Sequence, residues 1–156
     1  MCSSDLVLVY GAMAGSLTSL QAAPPIAHDH AHVHTAEGPH HGSLIELGRD
    51  DYHAELVHDG KDDTVTVYIL DGSATKAVPL PAKQITLNLR VAGKPQQFLL
   101  TAVPQAGDPA GSASTFCLTS KPLCLALDTP GAAGRLNVEI AGKMYVGAVG
   151  GHSHPH

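Results

Sequence analysis

From residue 42 onward the chain alternates apolar and polar positions in short runs. Residues 84–91 place Ile85, Leu87, Leu89 and Val91 against Thr86, Asn88 and Arg90, the period-two pattern of a half-buried strand. Ala92-Gly93-Lys94-Pro95 turns the chain, and residues 97–103 return. Residues 52–58 and 64–70 are β-branched stretches around Asp59-Gly60-Lys61-Asp62-Asp63, a hairpin signal. Residues 135–140 and 144–149 make a third hairpin across Ala141-Gly142-Lys143. A short apolar run at 43–47 ends at Gly48, residues 104–112 form a Pro-rich loop, and 115–119 predicts a strand. Residues 121–127 predict one short helix, with Ser120 as its cap and Pro122 in its first turn. About seven short strands with turn signals every ~8–12 residues predict an all-β chain: a single antiparallel β-sandwich of immunoglobulin-like architecture, with a small open barrel as the alternative.

The ends differ in texture. Residues 6–14 are an apolar run followed by small residues, which reads as the core of a secretory signal too short to span a bilayer. Its basic leading segment is replaced by Met1-Cys2-Ser3-Ser4-Asp5-Leu6, which resembles a translated sequencing adapter, so Cys2 is not read as a lipid anchor. The predicted organisation is a signal segment at 1–23, a His-rich linker at 24–41, the sandwich at 42–149 and a His-rich tail at 150–156, with both arms disordered. The expected location is periplasmic or cell-surface, and no segment predicts an integral membrane protein. The net charge is −5 with no Lys/Arg cluster, which argues against nucleic acid. Cys117 and Cys124 are compatible with one disulfide or with two buried thiols.

Eleven histidines in 156 residues are the compositional anomaly. His28, His30, His32 and His34 alternate in the linker, and His152, His154 and His156 repeat the alternation in the tail. Neutral imidazole suits Cu²⁺ and Zn²⁺, with Ni²⁺ also accommodated, and several such ligands on a pliable chain can wrap one divalent metal ion. Inside the domain stand His40-His41-Gly42 and then His53-x-Glu55, with His58 beyond. If His58 pairs opposite Thr64, Glu55 faces Val67 and His53 faces Ile69. A carboxylate and an imidazole on such an apolar face require a partner. A metal held by His41, His53 and Glu55 would supply one, with Gly42 allowing close approach.

His41-Gly42, Leu47-Gly48, Tyr52-His53-Ala54-Glu55-Leu56-Val57 and Val67-Tyr68-Ile69-Leu70-Asp71 together resemble small periplasmic domains associated with bacterial heavy-metal efflux adaptor subunits. Those domains open on His-Gly-Gly, where this chain has Ser43 in place of the second glycine, and the likeness covers about residues 39–71. The resemblance implies a role for His41, His53 and Glu55 in periplasmic metal handling, with an efflux or transport component as partner. No nucleophile elbow, phosphate loop or His-Glu-x-x-His motif is present, and Asp50-Asp51 and Asp62-Asp63 read as solvated turns, so no enzyme is predicted. The sequence thus predicts a metal-binding or metal-buffering protein. A protein- or carbohydrate-binding sandwich with histidine spacers is the alternative.

Overall fold

A computed structural model describes residues 36–150. The signal segment, most of the linker (His28, His30, His32 and His34 included) and the tail histidines lie outside the described residues. Among these residues the elements are β1 (Ser43–Leu47), β2 (Tyr52–Asp59), β3 (Thr64–Asp71), β4 (Gln84–Val91), β5 (Lys94–Ala102), β6 (Thr115–Thr119), α1 (Lys121–Asp128), β7 (Ala133–Ile140) and β8 (Lys143–Gly150). The chain is all-β, as its alternation predicts, and every strand pair is antiparallel.

The eight strands form one sheet in the order β1-β2-β3-β6-β5-β4-β7-β8. Two four-stranded halves, β1-β2-β3-β6 and β5-β4-β7-β8, meet through a short ladder in which Thr101 faces Cys117 and Ala102 faces Phe116. Their inward side chains form a single buried cluster: Leu56, Val67 and Phe116 from one half, and Leu87, Leu100 and Leu136 from the other. The strand order departs from the immunoglobulin pattern. There the second and third strands lie in different sheets; here β2 and β3 are paired neighbours in one half.

The outer strands of the two halves also pack together. A Cβ on Gly147 of β8 would meet the Ile45 side chain and the Glu46 carbonyl of β1, and one on Gly48 would meet the Tyr145 ring. Ile45 and Glu46 thus lie beside Gly147 and Gly48 beside Tyr145, so β8 runs antiparallel to β1 and its last residue points toward the start of β1. The chain enters the described fold at the same seam, where the Ala36 carbonyl accepts from the Leu44 amide at 2.9 Å.

Local chemistry sets the hairpins. Ala92-Gly93 and Ala141-Gly142 carry φ of 48° and 78°, and 52° and 77°. Two successive left-handed residues give the two-residue turn whose twist matches the strands, so β5 begins at Lys94, earlier than its apolar pattern implies. α1 begins at its predicted cap: the Ser120 hydroxyl accepts from the Leu123 amide at 3.3 Å, and Leu123, Cys124, Ala126 and Leu127 are buried in the core. No helix among the described residues is long and apolar enough to cross a membrane.

The register of the first hairpin corrects the sequence expectation. Asp59, not His58, lies opposite Thr64, and His58 lies opposite Val65. The loop is the four residues 60–63, closed by Asp63 in the left-handed region (φ 52°) and by the Asp59 carboxylate, which accepts from the Lys61 amide at 2.9 Å. A one-residue slip exchanges faces. Glu55 therefore lies opposite Tyr68 and His53 opposite Leu70, on the outer face, while Ala54, Leu56, Val65, Val67 and Ile69 fill the core.

Candidate functional site

Glu55 is 0% exposed although it belongs to the outer face of its sheet. The cover is residues 36–42, of which 36–41 were predicted as the end of the linker; they fold onto β1 and β2. The Gly38 amide donates to the Gly42 carbonyl at 2.9 Å and the His41 amide to the Gly38 carbonyl at 3.0 Å, closing a tight loop over the carboxylate. Two glycines permit the close approach. A Cβ on Gly38 would strike the Glu55 carboxylate, with both oxygens at 2.7 Å, and one on Gly42 would lie 2.6 Å from the Leu56 carbonyl.

The carboxylate holds this loop. Its Oε1 accepts from the His40 amide at 2.7 Å and from the Gly42 amide at 2.8 Å. Its Oε2 is 2.7 Å from Nδ1 of His40. With Nδ1–H donated to Oε2, Nε2 is the ring nitrogen that keeps a free lone pair. The His40 ring also stacks on Tyr68, with centroids 3.7 Å apart and planes inclined by 6°. The imidazole is fixed in position and rotation, yet the side chain remains 42% exposed. A histidine oriented through one nitrogen by a carboxylate, with the other nitrogen open, is the arrangement that tunes metal-binding imidazoles.

A cleft of about 390 Å³ adjoins the ring. Tyr68, Leu70 and Thr115 line it from β3 and β6, and Asp108 and Ser114 from the loop beyond β5. Burial pushes the Asp108 carboxyl up, but hydrogen bonds from the Gln105 and Ser114 amides and the Ser114 hydroxyl outweigh it and hold the group below the usual carboxylate range. Thr115 Oγ1 beneath this region is buried without a hydrogen-bond partner.

The other predicted ligands are dispersed. His41 takes φ 63° and is 87% exposed, with Nδ1 2.7 Å from Glu37 Oε1. His53 shares the outer face with Glu55, but its ring turns to the neighbouring loop: Nδ1 lies 3.3 Å from the Asp71 carbonyl and Nε2 3.7 Å from Asp50. The hydrogen bonds of Glu55 go to His40 and Gly42, so His41, His53 and Glu55 are not brought together. Among the described residues no three His, Cys, Asp or Glu side chains converge as a metal-holding group. His58, on the inner face near the end of α1, lies 3.4 Å from Asp128, and its Nε2 is buried and unpartnered. Cys117 and Cys124 are both free thiols; burial pushes Cys124 up, and the nearby Asp63, Asp128 and Asp59 add to this.

The sequence expectation takes His41 from the His40-His41 pair for the domain site, whereas His40 is the one that meets Glu55. The difference follows from backbone shape, because the left-handed turn at His41 sends its ring to solvent. Gly38 and Gly42, two residues to either side of His40, were the available signal. Comparison of the chain with protein-family models, curated proteins and solved structures finds no match.

Proposed function

We propose that this chain is an exported metal-binding or metal-buffering protein that coordinates Cu²⁺ or Zn²⁺ through neutral imidazoles, without turnover. The observation that carries this reading is the Glu55–His40 pair: a fully buried carboxylate fixes Nδ1 of a half-exposed imidazole, whose Nε2 has no partner among the described residues. His40 is then the domain's ligand. The remaining donors are the alternating histidines His28, His30, His32, His34, His152, His154 and His156, at the two ends of the chain. Nothing in this role requires a substrate pocket or an activated nucleophile. The resemblance over residues 39–71 supports transfer of the ion to a metal efflux or transport component.

Coordination by neutral imidazole makes protons competitors, so affinity falls below about pH 6. The test is calorimetric titration with Cu²⁺ and with Zn²⁺ of three proteins: the intact chain, His40→Ala, and a chain with the seven terminal histidines changed to alanine. The intact chain is expected to bind at about 1 μM or tighter at neutral pH. His40→Ala is expected to lose roughly tenfold, and the terminal changes more. No binding of either ion by the intact chain ends the proposal; equal binding by His40→Ala removes the domain from it.

A further inference from the structure

The half of the sheet away from His40 carries a second cavity, about 720 Å³, on its outer surface. Leu87, Leu89, Leu136 and Val138 point into the core, so the alternating residues Asn88, Arg90, Arg135 and Asn137 point outward. The cross-strand register sets Gln97, Asn88, Arg135 and Ala148 in one row and Pro95, Arg90, Ala133 and Gly150 in the next. Arg90 and Arg135 are therefore diagonal neighbours, roughly 7–8 Å apart at their bases. Beside each stands a small residue, Ala133 next to Arg90 and Ala148 next to Arg135, which leaves a trough between the long side chains.

These are two of the three arginines in a chain of net charge −5. Among the described residues neither guanidinium has an ion-pair or hydrogen-bond partner. Among the described residues no Asp or Glu lines the cavity. A cation is therefore disfavoured and an oxyanion favoured, since each guanidinium presents a fork of donors matched to carboxylate, sulfate or phosphate. The rest of the lining narrows the class. Asn88, Gln97 and Asn137 offer amides, two of them already joined by a Gln97 Nε2 to Asn88 Oδ1 bond of 3.0 Å, and such groups suit hydroxyls. Among the described residues no aromatic ring lines the cavity, so they offer a nucleotide base no stacking platform. The volume exceeds what a bare oxyanion fills.

We infer that this groove binds an anionic saccharide, with Arg90 and Arg135 clasping its sulfate or carboxylate and the amides meeting its hydroxyls. Among the described residues no histidine lines the groove, which sets it apart from the proposed metal ligand His40. The test follows the arginine Nε–H resonances of the ¹⁵N-labelled intact chain at neutral pH with a chelator present. The probes are a heparin-derived disaccharide, uncharged lactose and sodium sulfate, and Arg49 serves as internal reference. The disaccharide is expected to shift Arg90 and Arg135 but not Arg49, with a Kd of about 1 mM or below. Arg90→Gln and Arg135→Gln are each expected to weaken it on the order of tenfold, and the double variant to abolish it with the melting curve unchanged. Absence of the shifts, or undiminished binding by the double variant, overturns the proposal. Equal affinity for lactose overturns its charge basis, and equal affinity for sulfate overturns the saccharide.

Discussion

The role assigned to Glu55 has a measurable consequence for stability. In Glu55→Ala the Gly42 amide, buried and donating at 2.8 Å, loses its acceptor outright. The His40 amide, donating at 2.7 Å in a part-buried setting, retains access to water. An orphaned buried donor costs about 1–3 kcal/mol, so the full penalty at Gly42 and part of one at His40 come to roughly 2–4 kcal/mol. Glu55→Gln behaves differently. Its carbonyl still accepts both amides, and only the charge assistance is lost, at a cost of about 1–2 kcal/mol. The side-chain amide also now donates to Nδ1 of His40, which moves the ring proton to Nε2 and blocks it as a ligand. Urea denaturation followed by circular dichroism should rank wild type above Glu55→Gln and Glu55→Ala last, at constant m-value. Both variants should lose metal affinity by up to about tenfold and no more than His40→Ala does, since Glu55 acts only through that ring. A Glu55→Ala protein within about 0.5 kcal/mol of wild type would refute the reasoning, since the loop at 36–42 would not then depend on the carboxylate.

Two further predictions follow from the fold. Gly147→Ala drives a methyl group into Ile45 and the Glu46 carbonyl at the β1–β8 seam and should cost about 1–3 kcal/mol in denaturant melts, whereas Gly60→Ala, with open space around it, serves as the near-neutral control; equal stability of the two would mean that the seam is not packed as described. Asp108 has a depressed folded-state pKa, so its stabilising contribution is complete above the ordinary carboxylate range and is lost as pH falls through the depressed value. Asp108→Asn removes that contribution, and the stability gap between the two proteins should narrow on acidification from about pH 5 to about pH 2; a gap constant with pH would exclude the linkage.

The alternation of Ile85, Leu87 and Leu89, the breaks at Gly93 and Gly142 and the cap at Ser120 were enough to place most strands, the hairpins and the helix. Each is a local property: side chains two apart share a face, glycine accepts left-handed backbone, and a serine oxygen satisfies a free helical amide. The histidine anomaly was equally legible, because composition needs no fold. The pairing of the first hairpin was not. His58 and Asp59 are equally plausible partners for Thr64 along the chain, and the loop closed by Asp63 decided between them, moving Glu55 from the core to the outer face. Nor did the sequence determine which histidine meets that carboxylate. Burial of Glu55 comes from residues 36–42 folding back across β1 and β2, a contact between segments about fifteen residues apart that no local pattern encodes. The pairing of Arg90 with Arg135 is of the same kind, since they are separate along the chain and adjacent only through the β4–β7 register. The sequence determined which groups were available, and the tertiary structure decided which of them became neighbours, because partner choice between strands depends on loop closure and on the burial of whole faces.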